Sequence, residues 1–252
     1  MSTPSESGRY LAGRMALVTG AGRGLGRTIS LRLASLGATV VLGDIDAATL
    51  DETAHLISQC GGQSSIRRFD VSDTGAVRSV FSQLGPIQVV VNNAGICPLT
   101  DVDDISRDEW DRVMAINLTG AFLCTQAALP GLRAAAWGRV INISSLAAHV
   151  GGLAAGLHYT VSKGGLLAMT KSFARVLAPY GVTVNAIAPG PTQTDLTAAW
   201  PEQTRQNLRS QMSQGRFVQP AEVAEAVAFL CSPLACSITG ATIDINAGLL
   251  MR

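Results

Sequence analysis

Met15-Ala16-Leu17-Val18-Thr19-Gly20-Ala21-Gly22-Arg23-Gly24-Leu25-Gly26 decides the fold of this chain. Its first five residues form a short apolar run that reads as a buried strand. The glycines that follow break the strand, and a helical pattern over Leu25–Leu36 begins at once. A strand that turns through glycine directly into a helix exposes bare backbone N–H groups at a helix N-terminus, where the peptide dipoles favour negative charge. Gly20, Gly24 and Gly26, with Arg23 and Leu25 between them, therefore form a candidate cradle for a diphosphate. The spacing is T-G-x-x-x-G-x-G, because Leu25 and Arg27 occupy the places where the third glycine of G-x-G-x-x-G would fall.

The same alternation continues along the chain. Strands are expected at Thr39–Gly43, Ser65–Phe69, Ile87–Val91, Arg139–Ile143, Thr183–Ile187 and Ala241–Ile245, with helices such as Ala47–Gln59 and Thr74–Leu84 between them. Strands separated by helices imply a parallel sheet covered on both faces, and right-handed crossovers favour a doubly wound order. The expectation is an α/β fold: a single doubly wound Rossmann-type domain over residues 11–252, with a seven-stranded, mostly parallel sheet. Residues 1–10 read as a flexible N-terminal tail, and the polar stretch from about 195 to 215 as an irregular substrate lid.

Asp44 closes the second strand. A carboxylate there can accept hydrogen bonds from an adenosine ribose and repel a 2′-phosphate, which argues for NAD and makes NADP the less favoured cofactor. Arg23 cuts the other way, since a guanidinium nearby would welcome a 2′-phosphate. Asp46 is the better N-cap for the helix that follows.

Bulk composition narrows the function. Of 252 residues 47% are hydrophobic and only 15% charged, with a formal net charge of +1. With no basic tract, neither nucleic acid nor an anionic membrane is expected as the main partner. No apolar run approaches the roughly 20 residues of a membrane span. The polar N-terminus lacks a signal-peptide core, and the five cysteines show no C-x-x-C, so a reduced, cytoplasmic protein is expected. His55, His149 and His158 have no metal-ligand spacing, and no metal is expected.

All but two of the nineteen basic residues are arginine. The exceptions are Lys163 and Lys171, and Lys163 stands four residues after Tyr159, on the same helix face. An ammonium beside a phenol favours phenolate, so Lys163 is expected to bring Tyr159 toward neutral pH as a proton donor and acceptor.

Four segments agree in order: the Thr19–Gly26 cradle, Asn92-Asn93-Ala94-Gly95, Ile143-Ser144-Ser145, and Tyr159-x-x-x-Lys163. A fifth is Asn185-Ala186-Ile187-Ala188-Pro189-Gly190-Pro191-Thr192-Gln193-Thr194. Together, over roughly Leu11 to Arg252, they resemble the short-chain dehydrogenase/reductase family. The resemblance implies a catalytic tetrad of Asn117, Ser145, Tyr159 and Lys163. Tyr159 would pass the proton and Ser145 would hold the substrate oxygen. Lys163 would tune Tyr159 and bind the nicotinamide ribose, and Asn117 would hold a water linking Lys163 to solvent. It further implies adenine contacts at Asp70 and Val71, although Asp70 reads equally well as a helix N-cap. Asn93, Ala94 and Gly95 would follow the ribose. Pro189, Gly190, Thr192 and Thr194 would lie along the nicotinamide and phosphates.

In one respect the chain departs from the family pattern. Ser145 lies one residue farther from the tyrosine than usual, with Leu146 at the usual offset and Ser144 as a minor alternative. The implied activity is interconversion of a small-molecule secondary alcohol and a ketone by a homotetramer. Leu146, Val150, Leu153, Leu196 and Trp200 would form a largely apolar substrate pocket. A non-catalytic NAD-binding regulator and a same-fold epimerase or dehydratase are the alternatives at this point. His158 flanks Tyr159 but points elsewhere on its helix, which suits a structural role.

Overall fold

A computed structural model describes residues 8–198 and 200–252; the side chains of Asp195 and Leu196 lie outside the described set. Seven strands form one sheet: β1 (Met15–Thr19), β2 (Thr39–Asp44), β3 (Gln63–Arg68), β4 (Val89–Asn92), β5 (Gly138–Ile143), β6 (Val182–Pro189) and β7 (Thr242–Ile245). Their order is β3-β2-β1-β4-β5-β6-β7, and every pairing is parallel. The order reverses between β1 and β4, and a crevice for a ligand opens at such a switch point, outside the carboxyl ends of the strands.

Strand periodicity explains how both faces are covered. On β1, Ala16 and Val18 join one apolar cluster while Leu17 joins another, and all three are fully buried. The first cluster packs beneath α1 (Gly24–Ser35), α2 (Ala47–Gln59) and α10 (Pro220–Cys231). The second packs beneath α5 (Gly120–Ala134) and α7 (Leu157–Leu177). Fully burying a side chain such as Leu17 stabilises the fold by about 1.5–3 kcal/mol.

The remaining helices are α3 (Thr74–Ser82), α4 (Arg107–Met114), α6 (Ala147–Val150), α8 (Asp195–Ala198) and α9 (Glu202–Gln211). The expected lid is thus partly helical rather than irregular, because Pro201 and Glu202 start a helix in a stretch whose polarity alone reads as loop. A π-helical turn, Ala115–Thr119, joins α4 to α5 without a break. The combined helix Arg107–Ala134 is long and apolar enough, by length and composition, to cross a membrane. The sequence reading missed this because charged residues open the segment. Here Val113, Cys124, Ala128 and Leu132 are buried in the protein's own packing.

At the N-terminus, the assigned tail reaches Tyr10, whose hydroxyl donates to the Ala228 carbonyl at 2.7 Å, and Leu11 beside it is fully buried. Residues 1–7 lie outside the described residues.

Candidate active site

The cradle is stitched to β4 at the switch point. The amide Nδ2 of Asn93 donates to the carbonyls of Thr19 at 2.9 Å and Gly20 at 3.1 Å. Thr19 Oγ1 accepts from the N–H groups of Asn93 at 3.0 Å and Ala94 at 3.1 Å. Thr19, given no role of its own by sequence, is therefore the residue that binds the ends of the two strands together. A side chain at Gly26 would collide with the Gly20 carbonyl, so the helix can start this close to the turn only with glycine there. These features fit a dinucleotide: an open backbone cradle, a helix N-terminus, and a continuous cleft of about 630 Å³ running from Asp44 to Tyr159.

At the far end of the cleft, Asp44 Oδ2 accepts from the Gly22 N–H at 3.0 Å. Its Oδ1 accepts from Ile45 at 2.7 Å and Asp46 at 3.3 Å. Three backbone donors thus hold the carboxylate at the edge of the cleft, and Arg23 lies exposed on the same rim. Asp46 caps α2, accepting from Ala48 and Thr49. Asp70 caps nothing, since Asp73 accepts the first free N–H groups of α3. Asp70 instead accepts from Ser72 N–H at 2.8 Å and Ser72 Oγ at 2.7 Å, and with Val71 it lines the cleft.

The other end of the cleft, where the catalytic residues are expected, is built on α7. Tyr159 and Lys163 share a face as expected, and Ser145, just after β5, hydrogen-bonds the Tyr159 hydroxyl. Ser144 is turned away, its hydroxyl donating to the Lys163 carbonyl at 2.8 Å. The Lys163 ammonium donates to the Ile143 carbonyl at 2.7 Å and stands 5.6 Å from the Tyr159 ring centre. The expectation that Lys163 lowers the phenol's pKa is corrected. Burial pushes Tyr159 well above the ordinary tyrosine value, nearby Cys97 adds to this, and the Ser145 hydrogen bond opposes it. Burial also pulls Lys163 down, to about 8. At this end of the cleft the cost of desolvating each charge outweighs the attraction between them.

Asn117 lies in the π-turn, 1% exposed, behind the cleft wall rather than on it. Its Oδ1 accepts from Ile96 N–H at 2.8 Å, and its Nδ2 donates to the Ile96 carbonyl at 2.9 Å and Ser162 Oγ at 3.1 Å. The amide side chain thus holds the loop after β4. A Cβ on Gly95 would stand 3.2 Å from Asn117 Oδ1 and 3.4 Å from Lys163 Nζ, so both polar atoms flank that glycine.

The cleft is lined by every cofactor residue named from the sequence: Gly20, Arg23, Gly24, Leu25, Gly26, Asp44, Asp70, Val71, Asn93, Ala94, Gly95, Tyr159, Lys163, Pro189, Gly190, Thr192 and Thr194. Leu146, Val150, Leu153 and Trp200, expected on the substrate side, line the cleft with Ser145, while the Leu196 side chain lies outside the described residues. Sequence reasoning missed Ile96, Cys97, Leu208 and Leu249, which also line it. Only the position of Ile96 and Cys97 directly after Asn93-Ala94-Gly95 signals them; Leu249 arrives through the fold. Cys97 is buried enough to hold its thiol up at about 11, although its sulfur accepts a hydrogen bond from the Gly156 N–H.

Comparison with known proteins agrees with this geometry. A family profile described as enoyl-(acyl carrier protein) reductase matches residues 20–250. The chain belongs to the short-chain dehydrogenase/reductase family. Among similar family members, a 3-oxoacyl-[acyl-carrier-protein] reductase of Aquifex aeolicus is 39% identical, over 95% of this chain and 98% of the relative. A (3R)-3-hydroxyacyl-CoA dehydrogenase of Canis lupus familiaris is 38% identical, over 96% and 98%. The crystal structure of a 3-oxoacyl-[acyl-carrier protein] reductase from Brucella melitensis with bound NAD superposes with a TM-score of 0.90 at 34% identity, covering 100% of this chain and 97% of that one. The protein is thus a short-chain dehydrogenase/reductase, an oxidoreductase that uses a nicotinamide dinucleotide on CH–OH groups.

Proposed function

We propose that this enzyme interconverts an apolar secondary alcohol and its ketone, with NAD as the preferred dinucleotide and Tyr159 as the acid and base. The observation that carries this reading is the convergence of Ser145, Tyr159 and Lys163 on one cleft continuous with the glycine cradle. When bound, the dinucleotide would supply the hydride in reduction and accept it in oxidation. Tyr159 donates its proton to the carbonyl oxygen in reduction and removes it in oxidation, and Ser145 holds that oxygen with a fixed dipole. Lys163, on the same helix face as the phenol, would bind the nicotinamide ribose. Asn117 keeps the loop after β4 beside it.

Preference for NAD follows from Asp44, whose pinned carboxylate would repel a 2′-phosphate. Leu146, Val150, Leu153, Trp200 and Leu249 suit a hydrocarbon chain, which favours a 3-hydroxyacyl or similar apolar alcohol over a sugar acid. The protein is proposed to act as one domain and as a homotetramer. Phe122, Leu157, Val161 and Val176 are exposed on α5 and α7, and apolar surface of this kind marks subunit contacts. Cytoplasmic residence fits its five free cysteines.

The test is formation of NADH from NAD with a panel of secondary alcohols, including 3-hydroxyacyl thioesters. Tyr159→Phe is expected to lose at least ~10²-fold in kcat. Near-normal turnover by Tyr159→Phe, or none by the wild type with any member of the panel, overturns the reading.

A further inference from the structure

His158 precedes Tyr159 in the first turn of α7 and is fully buried. Successive residues on a helix point about 100° apart, so the imidazole leaves the cleft while the phenol enters it. The His158 Nε2 meets Glu109 Oε1 of α4 at 2.7 Å. The Glu109 carboxylate also accepts a hydrogen bond from the Thr100 side chain, and the Thr100 bond first, then His158, hold its carboxyl below the usual range. An ionised carboxylate only accepts, so the proton of this pair belongs on Nε2.

Three segments meet here: α4, the first turn of the catalytic helix, and the end of the loop Asn93–Thr100. That loop is already held at Ile96 by the side chain of Asn117, and Cys97 meets the Gly156 N–H. Gly156, the residue before α7, has no room for a side chain. A Cβ there would lie 2.7 Å from the Pro98 carbonyl and 2.6 Å from the His158 ring. The cleft residues Ile96 and Cys97 and the phenol of Tyr159 are therefore set against each other through a tightly packed junction, and Glu109–His158 is the polar tie on its outer side.

We propose that Glu109 and His158 are positioning residues: the pair straps the loop after β4 to the first turn of α7 and so sets Tyr159 in register with Ser145 and the substrate wall at Ile96 and Cys97. Neither residue lines the cleft. The strap rests on the reading of Tyr159 as the proton donor, but its placement of the phenol can be measured without turnover.

Glu109 is partly exposed, so Glu109→Ala removes the tie without opening the core. It is expected to lower kcat about tenfold or more, because a misplacement of ~1 Å costs up to ~10²-fold, with the Kd for NAD within about twofold of wild type. Glu109→Gln keeps an acceptor for the Nε2–H and should restore most of kcat. A strap that only stabilised the fold would change Tm in Glu109→Ala and leave kcat alone. Tyrosinate absorbance gives the second measurement. With the Tyr159→Phe titration subtracted, the Tyr159 midpoint should move away from the wild-type value in Glu109→Ala as the phenol shifts against Ser145 and Cys97, the two side chains that bear on it. Wild-type kcat together with a wild-type Tyr159 midpoint in Glu109→Ala overturns the strap. If the wild type turns over no alcohol or ketone, the oxidoreductase reading fails alone, and the titration midpoint by itself decides the strap.

Discussion

Replacing Lys163 by methionine should stabilise the protein while abolishing turnover. Lys163 is 4% exposed, and among the described residues its ammonium makes one hydrogen bond, to the Ile143 carbonyl. Burial lowers its pKa from 10.5 to about 8. At ~1.4 kcal/mol for each factor of ten in proton affinity, holding the charged form inside costs about 3 kcal/mol. Methionine removes that cost and fills similar space, but it loses a hydrogen bond worth about 1 kcal/mol. The net gain is about 2 kcal/mol, or a rise in Tm of about 4–8 °C for a chain of this size. The sign with pH follows from linkage. Between about 8 and 10.5 the unfolded chain keeps a proton that the folded lysine has released. Stability of the wild type therefore rises with pH through that window, and the contribution is lost as pH falls through about 8. Calorimetry of wild type and Lys163→Met from pH 7 upward, read as a difference, isolates this group. A lower Tm for the variant at neutral pH, with a difference that stays flat across the window, would falsify the burial argument.

Asp44→Ala should erode the NAD preference: KM for NAD rises and KM for NADP falls by about tenfold or more combined, the loss of one charge-assisted contact. Steady-state kinetics with both cofactors checks it, and an unchanged ratio removes Asp44 as the selector. Gly26→Val should abolish the rise in Tm that NAD gives the wild type, since its side chain would strike the Gly20 carbonyl; a wild-type NAD-induced shift would show the cradle to be more yielding than it looks. Leu17→Ala, in the second apolar cluster, should cost about 2–5 kcal/mol in urea unfolding, and a loss below ~1 kcal/mol would mean the site collapses around the gap.

Local patterns made much of the molecule legible in the sequence. The glycine cradle and the alternation of strands and helices depend on neighbours within a few residues. Met15–Thr19 and Ala47–Gln59 have the same bounds in the structure as in the reading. What was not legible depends on partners far along the chain. Asp70 could be told from a helix cap only once Asp73 was seen to take the N–H groups of α3. The π-turn at Asn117 has no sequence mark; it is evident from the way the amide reaches back to both polar groups of Ile96. Leu249 enters the cleft because the chain after β7 folds back against it, which no pattern within that segment reveals.

The pKa of Tyr159 is the most instructive miss. Spacing put an ammonium four residues from a phenol, and that much holds. Spacing says nothing of solvent, and the sign of the shift depends on it. Tyr159 is raised and Lys163 lowered, so burial disfavours the charged form of each. The Lys163 ammonium is also turned toward the Ile143 carbonyl rather than committed to the phenol. A proton donor in this state suits reduction, where Tyr159 must begin protonated. For oxidation the phenol must begin as phenolate, and one buried lysine near its own titration point is a weak inducement. A further positive charge beside the ring, as an oxidised nicotinamide would bring, favours the phenolate by the same rule that the lysine alone fails to satisfy. Tyr159 would then be a base only in the company of the oxidised dinucleotide. Its tyrosinate midpoint should accordingly fall when NAD is added and move less when NADH is added. Equal midpoints in the two complexes would return the tuning of Tyr159 to Lys163 alone.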